Sequence, residues 1–248
     1  MQSRRAFSGL MLGGMLAPTL AHGQSAPTPA PFAGVRFPVD GKSIRAILYQ
    51  PQGTPRGSGI VMMHGSGGGI RSQGPWHDLA MRFAQDGYWV LTPAYFDAYA
   101  DDGIRPAPMM AAWREVAKVA VEWLAAGQGI APARVGLFGY SLGSYVAVDT
   151  ALGDCEAGAA IGLAGGVDVY PPRVPRRRIP VLIIRAERDT HVLPRNTAAW
   201  VSYLRERDIN VRVQVVDGAG HLFTPPEWLD VFTRSSGFFA DNVGRIQG

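Results

Sequence analysis

Short apolar runs alternate with longer segments of helical periodicity along most of the chain. Residues 59–63 form a continuous apolar run, which is typical of a strand that is covered on both faces. Residues 109–126 instead carry their apolar positions at helical spacing. The predicted inner side of this helix consists of Trp113, Val116, Val119, Ala120, Trp123 and Leu124. The alternation predicts an α/β fold with a mostly parallel central sheet and helices on both faces, in a single domain.

The same patterns predict the remaining elements. The predicted strands cover residues 43–49, 59–63, 88–92, 134–138, 159–163, 180–186 and 211–216. The predicted helices cover residues 76–85, 109–126, 144–152, 196–207 and 228–243. Because crossovers between parallel strands are right-handed, few topologies are compatible with this order.

The first residues of the chain resemble an export signal. Arg4 and Arg5 are followed by Phe7, which resembles the twin-arginine export signal of bacteria. The apolar stretch that follows is too short and too weakly apolar to be a stable membrane anchor. We therefore expect residues 1–23 to be removed and the protein to be periplasmic or secreted. An ordinary secretory signal is the alternative, and it would lead to the same compartment.

Length and composition fit one globular domain. The chain has 248 residues, of which 47% are hydrophobic and 18% are charged. Residues 24–33, which are rich in proline and alanine, are predicted to be a flexible tether, and residues 34–248 to be the domain. The net charge of +4 is too small to indicate a nucleic-acid partner. The single cysteine, Cys155, excludes an internal disulfide.

The pattern G-x-S-x-G at residues 139–143 lies between a predicted strand and a predicted helix. This is the context that a nucleophile elbow requires, because the two glycines let the backbone approach its neighbours closely. The turn would expose the hydroxyl of Ser141 as a nucleophile. It would also leave the backbone N–H of Leu142 free to bind a developing negative charge. The alternative is a glycine-rich turn with an incidental serine.

A serine nucleophile requires a base, and the base requires an orienting carboxylate. The chain has five histidines: His22, His64, His77, His191 and His221. The first lies in the predicted signal, the second ends a strand beside glycines, and the third lies near a helix start. His191 follows Asp189 too closely to face the serine while that aspartate orients another group. His221 follows the last predicted strand, at the carboxyl edge of the sheet, and is the predicted base.

Two carboxylates follow the predicted strand 180–186, and both are candidates for the orienting acid. Folds that use the nucleophile elbow place serine, acid and histidine in that order along the chain, which either residue satisfies. Asp189 lies further along the loop, towards the histidine, and we predict that it orients His221. Glu187 is the alternative.

A glycine-rich loop at residues 64–69 follows the apolar strand 59–63. Glycine runs let backbone N–H groups turn inward, so we predict that Ser66 or Gly67 donates the second N–H of an oxyanion hole. A phosphate-binding loop is the competing interpretation, but the lysine that such a loop requires is missing.

Aromatic and basic side chains near the predicted site bear on substrate selection. Tyr95, Phe96 and Tyr140 are predicted to line a substrate pocket, although the first two could equally pack against the long helix. Residues 170–178 are proline-rich and contain four arginines, which could attract a carboxylated substrate or form a solvated surface loop.

From about residue 35 to residue 225 the chain resembles an α/β-hydrolase of the dienelactone hydrolase-like branch. The matching stretches are residues 64–68, 87–93, 139–143, 180–189 and 218–223. The resemblance implies the α/β-hydrolase fold and a serine hydrolase that acts on a small-molecule ester or lactone without cofactor or metal. The best-known dienelactone hydrolases carry a cysteine nucleophile, so Ser141 favours ordinary ester or lactone hydrolysis.

Two other functions are compatible with the same sequence features. An acyltransferase would pass the acyl group to an alcohol instead of water. A non-catalytic binding protein could retain the fold with a vestigial site, since fold does not fix function.

Overall fold

The computed structural model describes residues 30–68, 73–101, 103–104, 107–167 and 171–244. The predicted export signal at residues 1–23 lies outside this part of the chain. The described residues from Pro31 onward belong to one compact unit. None of the helices in the described ranges combines the length and the apolar character needed to cross a membrane.

One sheet contains all the strands of the described residues. The strands are β1 (Phe32–Val39), β2 (Lys42–Tyr49), β3 (Gly59–Met63), β4 (Trp89–Pro93), β5 (Val135–Tyr140), β6 (Ala159–Leu163), β7 (Val181–Ala186) and β8 (Val211–Val216). The helices are α1 (Gln73–Gln85), α2 (Ala107–Gln128), α3 (Leu142–Ala151), α4 (Pro194–Arg205) and α5 (Pro225–Asn242). Short 3₁₀ turns at Tyr95–Asp97 and Pro132–Arg134 precede α2 and β5.

The strand order across the sheet is β1-β2-β4-β3-β5-β6-β7-β8. Strands β3 to β8 pair in parallel, and only β1 and β2 run antiparallel to their neighbours. The predicted mostly parallel sheet is therefore confirmed. The parallel strands bring their carboxyl ends, and the loops that follow them, to one edge of the sheet.

The edge hairpin formed by β1 and β2 departs from the prediction. The tether was expected to reach residue 33, yet β1 begins at Phe32 and pairs with β2 along its whole length. Asp40 and Gly41 connect the two strands with φ values of 46° and 74°. Positive φ at both central residues is the geometry that a tight two-residue hairpin needs. The predicted tether is therefore too long at its carboxyl end.

Helices cover both faces of the sheet, as predicted. Helices α2, α3 and α4 pack on one face, and α1 and α5 pack on the other. Four of the six residues predicted on the inner side of α2 are buried: Trp113, Val116, Ala120 and Leu124. Val119 and Trp123 are partly buried against the same cluster. Burial of each large apolar side chain stabilises the folded state by about 1.5–3 kcal/mol. The sheet and its helices therefore form a stable scaffold for the loops at the sheet edge.

Candidate active site

Ser141 occupies a strained turn between β5 and α3. Its backbone has φ 52° and ψ −118°, in the left-handed region that a non-glycine residue rarely adopts. Such a conformation costs on the order of 1–3 kcal/mol and persists only where surrounding contacts hold it. The Ser141 N–H donates to the carbonyl of Leu163 at 2.8 Å, and its carbonyl accepts from the N–H of Ser144 at 2.9 Å. These contacts hold the serine at the carboxyl edge of the sheet.

The two glycines of the turn are required by close backbone contacts. A Cβ at Gly139 would lie 2.0 Å from the carbonyl oxygen of Gly143, and one at Gly143 would lie 2.1 Å from that of Met63. Neither distance is sterically possible without movement of the backbone. The start of α3 is therefore packed directly against β5 and β3, which is the arrangement expected of a nucleophile elbow.

The imidazole of His221 bridges Ser141 and Asp189. Its Nε2 lies 2.9 Å from the Oγ of Ser141, and its Nδ1 lies 2.8 Å from the Oδ2 of Asp189. A carboxylate only accepts hydrogen bonds, so Nδ1 carries the proton and Nε2 can accept from the serine hydroxyl. The structure thus brings together three predicted residues from the loops after β5, β7 and β8. Of the four histidines in the described ranges, His221 is the one hydrogen-bonded to the serine hydroxyl.

Asp189 is almost completely buried, at 4% exposure, and its carboxylate accepts three hydrogen bonds. Oδ1 accepts from the backbone N–H groups of His191 at 2.9 Å and Val192 at 2.8 Å, while Oδ2 faces His221. A buried carboxylate is tolerated when its oxygens are hydrogen-bonded in this way. Glu187, the alternative acid, instead accepts from the N–H of Gly218 at 2.7 Å.

Two aromatic rings contact the imidazole of His221. The Tyr140 ring stacks on it with 5.6 Å between ring centroids, and the Tyr140 hydroxyl donates to the His221 carbonyl at 2.8 Å. Burial raises the pKa of Tyr140 to about 12, so this hydroxyl remains a donor. His191 also stacks on His221, with centroids 4.8 Å apart. The sequence analysis considered His191 only as a candidate base and rejected it because it lies close to Asp189. It therefore did not predict that His191 would stack on His221.

The predicted oxyanion loop lies against the nucleophile turn. A Cβ at Gly65 would lie 3.4 Å from the Cβ of Ser141, so this part of the loop is in close contact with the serine. The N–H of Gly68 donates to the Gly65 carbonyl at 3.1 Å and closes a turn around Ser66 and Gly67.

Leu142 is the first residue of α3. The first N–H groups of a helix have no acceptor within the helix, so this N–H is available to a ligand beside Ser141. This N–H and the N–H groups in the turn of the glycine-rich loop are therefore the candidate donors to a negative charge beside Ser141.

His64 supports the glycine-rich loop from beneath. Its Nδ1–H donates to the Gly65 carbonyl at 2.8 Å, and its own carbonyl accepts from the Tyr95 hydroxyl at 2.7 Å. The rings of His64 and Tyr95 stack with centroids 4.2 Å apart. Burial lowers the pKa of His64 to about 4, so the imidazole is neutral near pH 7.

We expect the burial of His64 to make the fold less stable in mild acid. Its pKa falls from 6.5 to about 4 on folding, so the unfolded chain takes up the proton first as the pH falls. The stabilisation is complete above about pH 6.5 and is lost towards pH 4, by on the order of 2–3 kcal/mol. Urea unfolding between pH 7 and pH 4 measures this loss.

The variant His64→Gln should show a smaller loss of unfolding free energy over the same pH range. Burial raises the pKa of Asp149 to about 6, so this carboxyl group favours the folded state as the pH falls. Because Asp149 is present in both proteins, its effect cancels in the comparison. Parallel pH profiles for the two proteins would contradict the role assigned to His64.

A cavity of about 780 Å³ opens beside the glycine-rich loop. Residues of β2, β4 and α1 form its walls, together with Gly67 and Gly68. Of the three aromatic residues predicted to line a pocket, Phe96 lies in the wall of this cavity. Tyr95 is completely buried beneath the loop, and Tyr140 packs under His221.

The arginine-rich segment at residues 173–178 has structural contacts. The Arg177 guanidinium donates to the carbonyls of Ala157 at 2.8 Å, Ala151 at 3.4 Å and Cys155. Such donors satisfy carbonyl groups left open at and beyond the end of a helix, here α3. This arginine therefore anchors the segment to the protein, a role that neither the substrate-binding nor the solvated-loop interpretation predicted.

One group of side chains within the described ranges has the composition of a metal site. Potential ligand atoms of Asp189, His191 and His221 all lie within 4.8 Å of one another. The imidazole rings are nearly parallel, however, at an interplanar angle of 22°. Ring nitrogens bind metals in the plane of the ring, so these two rings do not converge on one ion. His221 and Asp189 are also hydrogen-bonded to each other.

Comparison with solved structures identifies the fold. A dienelactone hydrolase from Anabaena variabilis is 23% identical, with a TM-score of 0.68, over 85% of this chain and 97% of that chain. A dienelactone hydrolase-like promiscuous phosphotriesterase from metagenomic libraries is 16% identical, with a TM-score of 0.72 and the same coverage. An esterase from Pyrobaculum calidifontis is 19% identical, with a TM-score of 0.69, over 85% of this chain and 84% of that chain. At these identities the similarity establishes the α/β-hydrolase fold alone.

Sequence comparison identifies the family. No curated protein matches the chain significantly. The model of the dienelactone hydrolase family matches residues 44–231, which include β3 to β8 and the loops that carry Ser141, Asp189 and His221. The chain therefore belongs to the dienelactone hydrolase family, as its sequence motifs predicted.

Proposed function

We propose that the protein is a serine hydrolase that cleaves carboxylic esters or lactones through an acyl-enzyme intermediate. Ser141 is the nucleophile, His221 the general base and acid, and Asp189 the group that orients the imidazole. The hydrogen-bonded series from Ser141 through His221 to Asp189, with links of 2.9 Å and 2.8 Å, carries this proposal.

Acylation begins at the Ser141 hydroxyl. Its oxygen forms a bond to the ester carbonyl carbon while Nε2 of His221 takes the hydroxyl proton. The carbonyl electron pair moves onto the oxygen and gives a tetrahedral intermediate. Asp189 stabilises the imidazolium and holds its tautomer without taking the proton. The bond to the alcohol oxygen then breaks, and the departing oxygen receives the proton from Nε2.

The negative oxygen of the intermediate requires N–H donors. The N–H of Leu142 is one candidate, and that of Ser66 or Gly67 is the other. Donors of this kind are held in place before the reaction starts, so they stabilise the transition state without reorganisation. Removal of one such donor typically lowers turnover by about 10²–10³-fold.

Deacylation repeats these steps with water as the nucleophile. Nε2 of His221 takes a proton from water as the oxygen attacks the acyl carbon. Collapse of the second intermediate releases the acid and returns the proton to the Ser141 oxygen. Ser141 and His221 carry out every proton transfer in these reaction steps, so the proposed mechanism includes no cofactor.

Labelling with a fluorophosphonate probe tests this function directly. The probe should react with Ser141 in the folded protein, and mass spectrometry of a digest should locate the adduct there. Ser141→Ala should remain unlabelled, as should protein unfolded in urea. The unmodified protein should also release p-nitrophenol from p-nitrophenyl acetate in buffer.

Two outcomes would contradict the proposed hydrolase and indicate a different function. Folded protein that takes up no label and cleaves no ester would point to a binding protein. Labelled protein that turns over esters only when an alcohol is added would be an acyltransferase, and analysis of the products would reveal the new ester.

A further inference from the structure

The cavity described above begins two residues from the contact between the glycine-rich loop and the serine. Gly65 lies against Ser141, while Gly67 and Gly68 line the cavity. A substrate whose carbonyl group lies beside Ser141 can therefore extend along the loop into this space. The volume of about 780 Å³ falls in the range of cavities that hold ligands of substantial size.

The position of His221 decides which part of an ester enters the cavity. The leaving oxygen must receive its proton from Nε2 of His221, so the alcohol part must lie on that side of the serine. Among the described residues that line the cavity, none comes from the loops that carry Asp189 and His221. The cavity lies on the side of the glycine-rich loop, so the acyl part of the substrate faces it.

The charges on the cavity wall are already paired. Arg45 donates two side-chain hydrogen bonds to the Asp97 carboxylate, at 2.7 Å and 2.9 Å, and a backbone hydrogen bond at 3.0 Å. Among the described lining residues, these two are the charged ones apart from histidines. The buried His64 is neutral near pH 7, since burial lowers its pKa to about 4. A carboxylate on the substrate would have to compete with Asp97 for Arg45.

The remaining wall is largely apolar, with one polar corner. The apolar part includes Ala46, Ile47, Trp76, Pro93 and Phe96. The corner contains Tyr49, whose hydroxyl lies 2.9 Å from Nδ1 of His77, and Thr92. Such a wall favours a group that contributes apolar area and at most one hydrogen bond, because an unpaired charge would be costly there.

We infer that the substrate is an ester or lactone with a bulky, neutral, mainly apolar acyl group, which occupies this cavity during the reaction. The inference rests on the proposed hydrolase function of the same site. The inference predicts a different substrate from that of an enzyme that recognises a carboxylate on the acyl group.

Substitution of Ile47 tests the inference. Ile47 is half-buried on β2 and lines the cavity, so Ile47→Trp should fill part of the space. The unmodified protein should have a kcat/KM for p-nitrophenyl hexanoate about 10-fold or more above that for the acetate, because additional methylene groups would be buried. Ile47→Trp should remove most of this preference, because kcat/KM for hexanoate should fall much further than kcat/KM for acetate. Ile47→Ala should instead shift the preference towards longer acyl groups.

Leu48→Trp is the matched control. Leu48 is the next residue on β2, is also half-buried, and packs against the opposite face of the sheet. This variant should keep the ratio of hexanoate to acetate turnover. A monoester of adipic acid, which has the length of hexanoate but carries a carboxylate, should be cleaved more slowly than hexanoate by the unmodified protein.

Three results would overturn the inference. The first is a ratio of kcat/KM for hexanoate to kcat/KM for acetate that is unchanged in Ile47→Trp and Ile47→Ala, while both variants take up the fluorophosphonate label. The second is equal loss of the ratio in Leu48→Trp, and the third is faster cleavage of the adipate monoester than of hexanoate. Absence of both labelling and acetate hydrolysis in the unmodified protein would instead overturn the proposed function, and the inference with it.

Discussion

Replacement of Ser141 by alanine should lower kcat for ester hydrolysis by about 10⁴-fold or more, and His221→Ala should cause a similar loss. The double variant should lose little beyond either single variant. Each substitution removes the same event, the transfer of the serine proton to Nε2 as the new bond forms. Rates for p-nitrophenyl hexanoate, measured at saturating substrate, test this expectation.

The exposed Ser202 on α4 provides a control for the serine substitution. Ser202→Ala should retain full activity, and all the variants should keep the circular dichroism spectrum of the unmodified protein. Losses that multiply in the double variant would contradict the proposal, because they would mean that the hydroxyl and the imidazole act independently.

Asp189→Asn should lower kcat by about 10⁴-fold while the fold is retained. An asparagine can keep one oxygen towards the N–H groups of His191 and Val192, since both bond to the same carboxylate oxygen. Its NH₂ group then faces His221 as a donor, which favours the tautomer with the proton on Nε2. That tautomer cannot accept the proton of Ser141. Turnover and thermal unfolding of the same sample separate this effect from simple destabilisation.

Glu187→Gln is the matched substitution on the same loop. Glu187 is exposed and accepts a hydrogen bond from the N–H of Gly218. The amide oxygen of glutamine can accept this bond, so we expect activity within a few-fold of the unmodified protein. If instead the glutamine variant lost as much activity as Asp189→Asn, the assignment of the orienting acid would be wrong.

The residues proposed for catalysis could be predicted because each follows a parallel strand. The carboxyl ends of such strands meet at one edge, so chain order and loop position restrict the candidates without knowledge of side-chain contacts. The contacts around His221 could not be predicted in this way. Tyr140 reaches its carbonyl across 81 positions of the chain, and no local pattern indicates that pairing.

Strand β1 was missed because its local signals conflict. Pro38 lies within it, and proline normally argues against a strand unless the strand lies at an edge, as β1 does. The proline-rich residues before Phe32 favoured a tether up to residue 33. The dipeptide Asp40-Gly41 was the available signal, since it favours a tight hairpin between apolar runs.

The cavity was equally hidden, because its walls come from distant parts of the chain. Ile47, Trp76 and Phe96 lie on three separate elements, and only their packing creates the space between them. Of the predicted aromatic pocket residues, Tyr95 is buried in the interior, where its hydroxyl donates to the backbone carbonyl of His64. From the sequence, Tyr95 and Phe96 were equally good candidates for the pocket wall. In the fold, Tyr95 is buried and only Phe96 lines the cavity.

Different strands of the one sheet position the two parts of the proposed site. The proposed bond-breaking groups are held by β5, β7 and β8, whereas β2 and β4 supply much of the wall that would recognise the acyl group. Substitutions in β2 are therefore expected to alter which esters the proposed hydrolase accepts, while the spacing of Ser141, Asp189 and His221 is kept. Laboratory evolution of new selectivity would do best to begin at that strand.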